Sequence, residues 1–227
     1  MSELFRANIA AMRGYIPGEQ PKDNGYIKLN TNENPYPPAP AVVERIRSAC
    51  NSDLRLYPDP DANDLRGKLA ELFSVVPQQV IAGNGSDELL NIIIRSFAGE
   101  GEKIVYPNPT YGYYKPLIDV QGAEAVPIEF PADYSLPDEL VVPDARITFL
   151  ANPNGPSGTL LPYAEVAALC ARVDVCRALA CVPRRRRRLY PRGLGQPAVA
   201  AAALSLLLVC YWSSSSAVDG LEKPMID

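Results

Sequence analysis

Three short stretches hold the residue types that could bind and process a ligand. "VIAGNGSDELL" (80–90) puts Gly83, Gly85, Ser86 and Asp87 ahead of an apolar run. Amides at a helix start lack intrahelical acceptors and, with the helix dipole, favour a phosphate. The small residues would let that anion reach the backbone, although the same spelling also suits a tight turn with a Ser/Asp cap. "PNPTYGYY" (107–114) sets Tyr111 at a strand-to-helix junction, where its ring could stack on a flat ligand, although this stretch alone favours a core aromatic; Tyr113 and Tyr114 read as packing residues. "ANPNGPSGTL" (151–160) spends two Asn, two Pro and two Gly on ten residues. That composition makes a rigid turn presenting amide side chains beside a strand end. Together the three stretches call for a ligand with a phosphate and a planar ring.

The elements that must position them follow from periodicity. Apolar runs at 79–83, 103–107, 125–130 and 146–152 read as strands, and 86–97, 110–121 and 162–173 as helices, the second bent or interrupted by Pro116. Strands alternating with helices at this spacing specify an α/β fold on a mainly parallel sheet, whose ligands sit beyond the strands' carboxyl ends. Upstream, residues 2–12 form a short helix, and 26–40 give a short strand and then an Asn- and Pro-rich loop. Residues 41–50 form an amphipathic helix with Val42, Val43, Ile46 and Ala49 facing inward. A further helix follows the Pro-punctuated loop at 56–62, with Asp61 or Asn63 as its N-cap and Leu65, Leu69 and Leu72 as its buried stripe.

Composition narrows the chemistry. The 227 residues include no His, which removes imidazole bases, His-dependent triads and HExxH zinc sites. Five Cys without a CxxC pair give no metal or redox motif and no closed disulfide framework. The first twenty residues lack a basic segment followed by an apolar core, so a cytoplasmic protein is expected.

The chain changes character after Val173. Residues 1–173 carry 14 basic and 22 acidic side chains, whereas 174–227 carry 8 and 4. All five Phe and twelve of thirteen Ile lie in the first part. The later part contains five consecutive arginines (184–188), an apolar run (198–212) and a polar, Ser-rich end. One reading is a basic patch for nucleic acid or a membrane-associated run, but fifteen residues fall short of the roughly 20 that span a bilayer. The favoured reading is an unrelated, disordered tail with at most one isolated helix near 198–212. Such a tail would arise from a shifted reading frame of a GC-rich gene, because the pattern breaks within a helix rather than at a linker.

As a set, "KLNTNENPYPP", "LYPDPDANDLRGKLA", "GNGSDELL", "PTYGYY" and "NPNGPSGTLL" resemble the histidinol-phosphate aminotransferases, pyridoxal-phosphate enzymes of fold type I. The resemblance spans residues 1–173. It implies the N-terminal arm and the cofactor-binding large domain of that fold, incomplete at its C-terminal end, in a cytoplasmic homodimer without nucleic-acid or membrane partners. It further implies amino transfer between glutamate/2-oxoglutarate and histidinol phosphate/imidazole acetol phosphate in histidine biosynthesis. By motif, Ser86 and Asp87 hold the phosphate of pyridoxal 5'-phosphate, Tyr111 stacks on its ring and Asn154 orients the ring hydroxyl. Tyr57 reaches the phosphate in the partner subunit, and Asn32 and Asn34 lie near the substrate. The chain departs from the pattern at Gly155, where many relatives have Asn.

It also lacks the family's Asp-Glu-Ala-Tyr strand end and its Ser-x-Ser-Lys motif, which supplies the Schiff-base lysine. Its lysines (22, 28, 68, 103, 115 and 223) stand in other contexts. No catalytic residue is therefore assigned, and the chain as written is expected not to catalyse transamination.

Overall fold

The computed structural model describes residues 4–12, 25, 27, 36–73, 76–173, 179–182 and 209–211. They fall into two units. One holds α1 (Ala7–Ala11), α4 (Gly85–Phe97) from Leu89 onward, and everything from there to the last strand. The other holds α2 (Pro40–Ala49), α3 (Asn63–Phe73) and the segment leading to Glu88.

The first unit is built on β1 (Lys103–Asn108), β2 (Glu124–Glu129), β3 (Ala145–Ala151), β4 (Leu179–Val182) and β5 (Val209–Tyr211), ordered β2-β1-β3-β4-β5. The first four are parallel neighbours and β5 runs antiparallel to β4. Val105 of β1 and Leu179 of β4 both lie opposite Thr148 of β3. β1 and β3 are buried almost throughout, as strands covered on both faces must be.

Crossover helices cover the two faces. Parallel β-α-β connections are right-handed, so crossovers running in opposite directions along a sheet place their helices on opposite sides. Here α5 (Tyr114–Gln121) leads from β1 outward to β2, and α6 (Tyr163–Arg172) leads from β3 the other way to β4. Successive strand residues point to opposite faces. Accordingly Phe149 stacks on Tyr114 of α5, while its neighbour Leu150 clusters with Leu169, Val173, Leu140 and Val105. Arg6 and Asn8 donate to the carbonyls of Val120 and Asp119, tying α1 to the last turn of α5. Within α4, Leu89, Leu90, Ile93 and Ile94 make the buried stripe that its periodicity specifies.

Several expectations change. No strand forms at 79–83: the Val80 amide closes a 3-10 turn on Pro77, and its carbonyl accepts from the Arg66 guanidinium. A strand exists only where another strand takes up its backbone groups, and here a turn and a side chain take them instead. The helix at 110–121 starts later, at Tyr114, so Pro116 occupies its first turn, where no intrahelical hydrogen bond is lost. In α2, Val42 and Val43 are half-buried, but Ile46 and Ala49 are exposed, because nothing among the described residues covers that flank. Leu65, Leu69 and Leu72 of α3 are half-buried, and Ala70 is the buried one.

β4 and β5 form inside the segment read as unrelated tail. Without β4 the apolar β3 would present an open edge, and the short run Leu179–Val182 closes it. A strand at Val209–Tyr211 also replaces the end of the helix allowed for 198–212. The five arginines, most of the apolar run, and Asn32 and Asn34 lie outside the described residues.

Candidate functional site

The strand order reverses direction between β1 and β3: one crossover leaves β1 for β2, the next leaves β3 for β4. In open α/β sheets the loops on the two sides of such a switch point diverge, and ligands bind beyond the strands' carboxyl ends there. The 107–114 and 151–160 stretches are the two loops that leave β1 and β3 at this point. The sheet thus brings two of the three chemically suggestive stretches to one edge.

Hydrogen bonds join them. Thr110 Oγ1 donates to Asn154 Oδ1 at 2.7 Å. Asn154 Nδ2 donates to the Pro109 carbonyl at 3.0 Å and to Ser157 Oγ at 3.0 Å. A carbonyl only accepts, so the atom facing Pro109 must be the nitrogen, which fixes the orientation of the amide. Main-chain bonds complete the turn, from the Asn154 amide to the Thr159 carbonyl and from the Gly158 amide to the Asn154 carbonyl, each 2.8 Å. Gly158 has φ +75°, a conformation that a side chain would strain. Asn152 pins the base of the loop, accepting from the Leu161 amide at 2.9 Å and donating to its carbonyl at 3.2 Å.

Asn154 is only 3% exposed, and both its N–H bonds are spent on the protein. It has no donor left for a ring hydroxyl. Gly155, beside it, offers no side chain.

Tyr111, which follows Thr110, stands half-buried in a set of aromatic rings. It packs edge-on against Tyr114 (5.6 Å, 84°) and Tyr113 (6.3 Å, 63°), and Tyr114 stacks on Phe149 (4.8 Å, 11°). Edge-to-face and stacked pairs of this kind attract beyond the area they bury, which favours one orientation of the ring. Tyr106 lies 5.9 Å from Tyr114; burial pushes its phenol above the ordinary value of 10.0, with Lys115 opposing and Asp119 adding to the shift.

The remaining residues belong to the second unit. Ser86 and Asp87 occupy the first turn of α4, with Ser86 half-buried, Asp87 exposed and Ser86 Oγ 3.4 Å from the Asp87 carboxylate. Glu88 accepts from the Asn84 amide and so caps its own helix. At Gly85, φ +83°, a Cβ would meet nothing within 4 Å, so the approach to this turn is open. A carboxylate repels a phosphate, so any contribution of Asp87 to anion binding falls to its main-chain amide. Tyr57 is fully exposed. The cap of α3 is neither Asp61 nor Asn63 but Asp59, whose carboxylate accepts from the Asn63 amide at 2.7 Å and the Asp61 amide at 3.0 Å. These bonds hold its pKa below the usual 3.8.

Thr110, Ser157 and Asn152 went unnoticed in the sequence. The signal available was a hydroxyl residue beside Pro in both "NPTY" and "GPSG", which becomes informative only once the two loops are known to be neighbours. Among the described residues no cluster of Cys, Asp and Glu is placed to hold a metal, and no helix is long and apolar enough to cross a membrane.

This architecture recurs in solved aminotransferases of fold type I. Histidinol-phosphate aminotransferase from Sinorhizobium meliloti, solved in complex with pyridoxal-5'-phosphate, superposes with a TM-score of 0.62 at 27% identity, over 66% of this chain and 42% of that one. A Thermus thermophilus aspartate aminotransferase mutant, at 20% identity, shares the fold with a TM-score of 0.68, over 79% of this chain and 50% of its own. Residues 24–183 match the family Aminotransferase class I and II, and the chain belongs to it. Histidinol-phosphate aminotransferases of Geotalea daltonii and Geobacter sulfurreducens are each 46% identical to it, over 171 and 184 residues. Each alignment covers 75% of this chain and, respectively, 49% and 51% of the relative, so the chain spans about half the length of the curated relatives it matches.

Proposed function

We propose that this chain carries the first half of a histidinol-phosphate aminotransferase, with amino-group transfer between glutamate/2-oxoglutarate and histidinol phosphate/imidazole acetol phosphate as the activity of the complete, cytoplasmic, homodimeric enzyme. The observation that carries the reading is the 46% identity to such enzymes across the part of the chain that builds the switch point.

The residues fit pyridoxal phosphate in two respects. The first turn of α4, open at Gly85, suits the phosphate through Ser86 and the Asp87 main chain. The ring set around Tyr111 holds a flat face for a pyridine. When bound, that group supplies the electron sink that lets an amino acid lose its α-proton. Tyr57, fully exposed, is available to a partner subunit's phosphate, and Asn32 and Asn34 are assigned to the substrate region.

In this reading the Schiff-base lysine is missing, since the sequence as given contains no Ser-x-Ser-Lys motif. Lys103 opens β1 at the amino end, opposite the edge where the Tyr111 loop leaves. Lys115 is bonded to Asp119 at 2.7 Å and Lys68 to Glu71 at 3.0 Å, both at the surface. The reading therefore has the chain bind the cofactor without turning it over. The test is a pyridoxal-phosphate titration followed by borohydride reduction, peptide mapping and an amino-transfer assay from glutamate. Saturable absorbance changes without a single stoichiometrically labelled lysine are expected. One fully labelled lysine together with turnover would overturn the inactivity, and no saturable binding would overturn the cofactor assignment.

A further inference from the structure

Resting on the cofactor reading above, we infer that Asn154 is a positioning residue: its carboxamide is a latch across the switch point that fixes the Tyr111 loop, and it does not itself touch the ring hydroxyl. Three observations carry this. The amide is 3% exposed and faces protein on each side. Its two N–H bonds go to a carbonyl of the other loop (Pro109) and to Ser157, so a phenolate oxygen could be served only by breaking one. Its oxygen receives the Thr110 hydroxyl, one residue before Tyr111, from across the crevice between β1 and β3.

The arrangement uses no side chain at Gly155. A contact from position 155 to a ligand would require a side chain, whereas the latch requires only that the turn bring Asn154 under Pro109. The Asn154–Thr159 and Gly158–Asn154 main-chain bonds, together with Ser157 Oγ accepting from the Thr159 amide at 3.3 Å, achieve that without any side chain at 155. Ser157 is thereby bonded to both the latch amide and the turn's own backbone.

The inference is separable from the cofactor assignment because the latch exists without ligand. Asn154→Ala, Thr110→Val and the double variant would be compared with the unmodified full chain by hydrogen exchange, without ligand. Losing its one hydrogen bond, Thr110→Val should speed exchange of the amides at 110–114 and 157–159 about fivefold to tenfold, and Asn154→Ala, which loses three, should speed it further, with the rest of the sheet unchanged. The double variant should be no worse than Asn154→Ala, since both changes remove the same bond. Unchanged exchange in both single variants would overturn the latch. If Asn154→Ala unfolds the chain, Thr110→Val, which removes only the donor, decides alone.

The second arm compares the affinity of each variant for pyridoxal phosphate and for its 3-O-methyl derivative. The latch predicts an equal loss for both ligands, and the same ranking in Thr110→Val. A loss confined to pyridoxal phosphate would make Asn154 a direct contact to the ring hydroxyl and sink the inference. Should the unmodified chain bind neither compound, the cofactor reading fails while the exchange data still decide the latch.

Discussion

Thr148 lies in the middle of the central strand, 0% exposed, and its hydroxyl has no hydrogen-bond partner among the described residues. Strand alternation puts its side chain on the face of Leu150, and Val105 is its neighbour on β1, so the surroundings are apolar. A hydroxyl buried without a partner costs about 1–3 kcal/mol relative to water. Valine keeps the β-branched shape that suits a strand and replaces the hydroxyl with a methyl group. Thr148→Val should therefore raise stability by about 1–2 kcal/mol, or roughly 2–8 °C in Tm for a chain of this size. Urea unfolding would show a higher midpoint at unchanged slope, and the cofactor titration should not move. Thr148→Ser, which keeps the orphan hydroxyl and deletes a methyl, should instead lose about 1 kcal/mol. A drop of more than about 0.5 kcal/mol in the valine variant would refute the reasoning, because it would mean that the hydroxyl has a partner.

Phe149→Ala removes the ring beneath Tyr114 and should cost about 3–5 kcal/mol, read from the same urea curves; a loss below about 1 kcal/mol would deny that this face is core. For Asp59 the sign is that of a carboxylate held below its unfolded value. It stabilises α3 above pH 3.8, and the contribution disappears as pH falls through the lower folded value. Asp59→Asn should flatten that acid limb of the helical circular dichroism signal, and an unchanged limb would remove Asp59 as its source. Finally, DNA downstream of codon 173 should spell the Asp-Glu-Ala-Tyr and Ser-x-Ser-Lys motifs in a neighbouring frame, and three-frame translation without them would reject the shifted-frame origin.

The sequence by itself determined the elements whose signals are local. α4 follows from the spacing of Leu89, Leu90, Ile93 and Ile94, and β1 and β3 from continuous apolar runs, since periodicity reports which side of an element is dry. Motif spelling likewise singled out Tyr111, Ser86 and the 151–160 turn. The local signal failed where long-range partners decide. The apolar run at 79–83 looked like a strand, but Arg66 and a 3-10 turn took its backbone groups. The cap of α3 came from Asp59, four residues before Asn63, because the loop folds back far enough for its carboxylate to reach. Leu179–Val182 gave no strand pattern, yet β3 had an open edge that it could close. Only the tertiary structure set β1 beside β3, and with it the switch point that brings the residue before Tyr111 to within 2.7 Å of Asn154. Residues 44 apart in sequence leave no periodic trace of their meeting. The sheet order puts the Asn154 amide, singled out by motif spelling, in hydrogen-bond contact with Thr110 and Pro109 of the neighbouring loop.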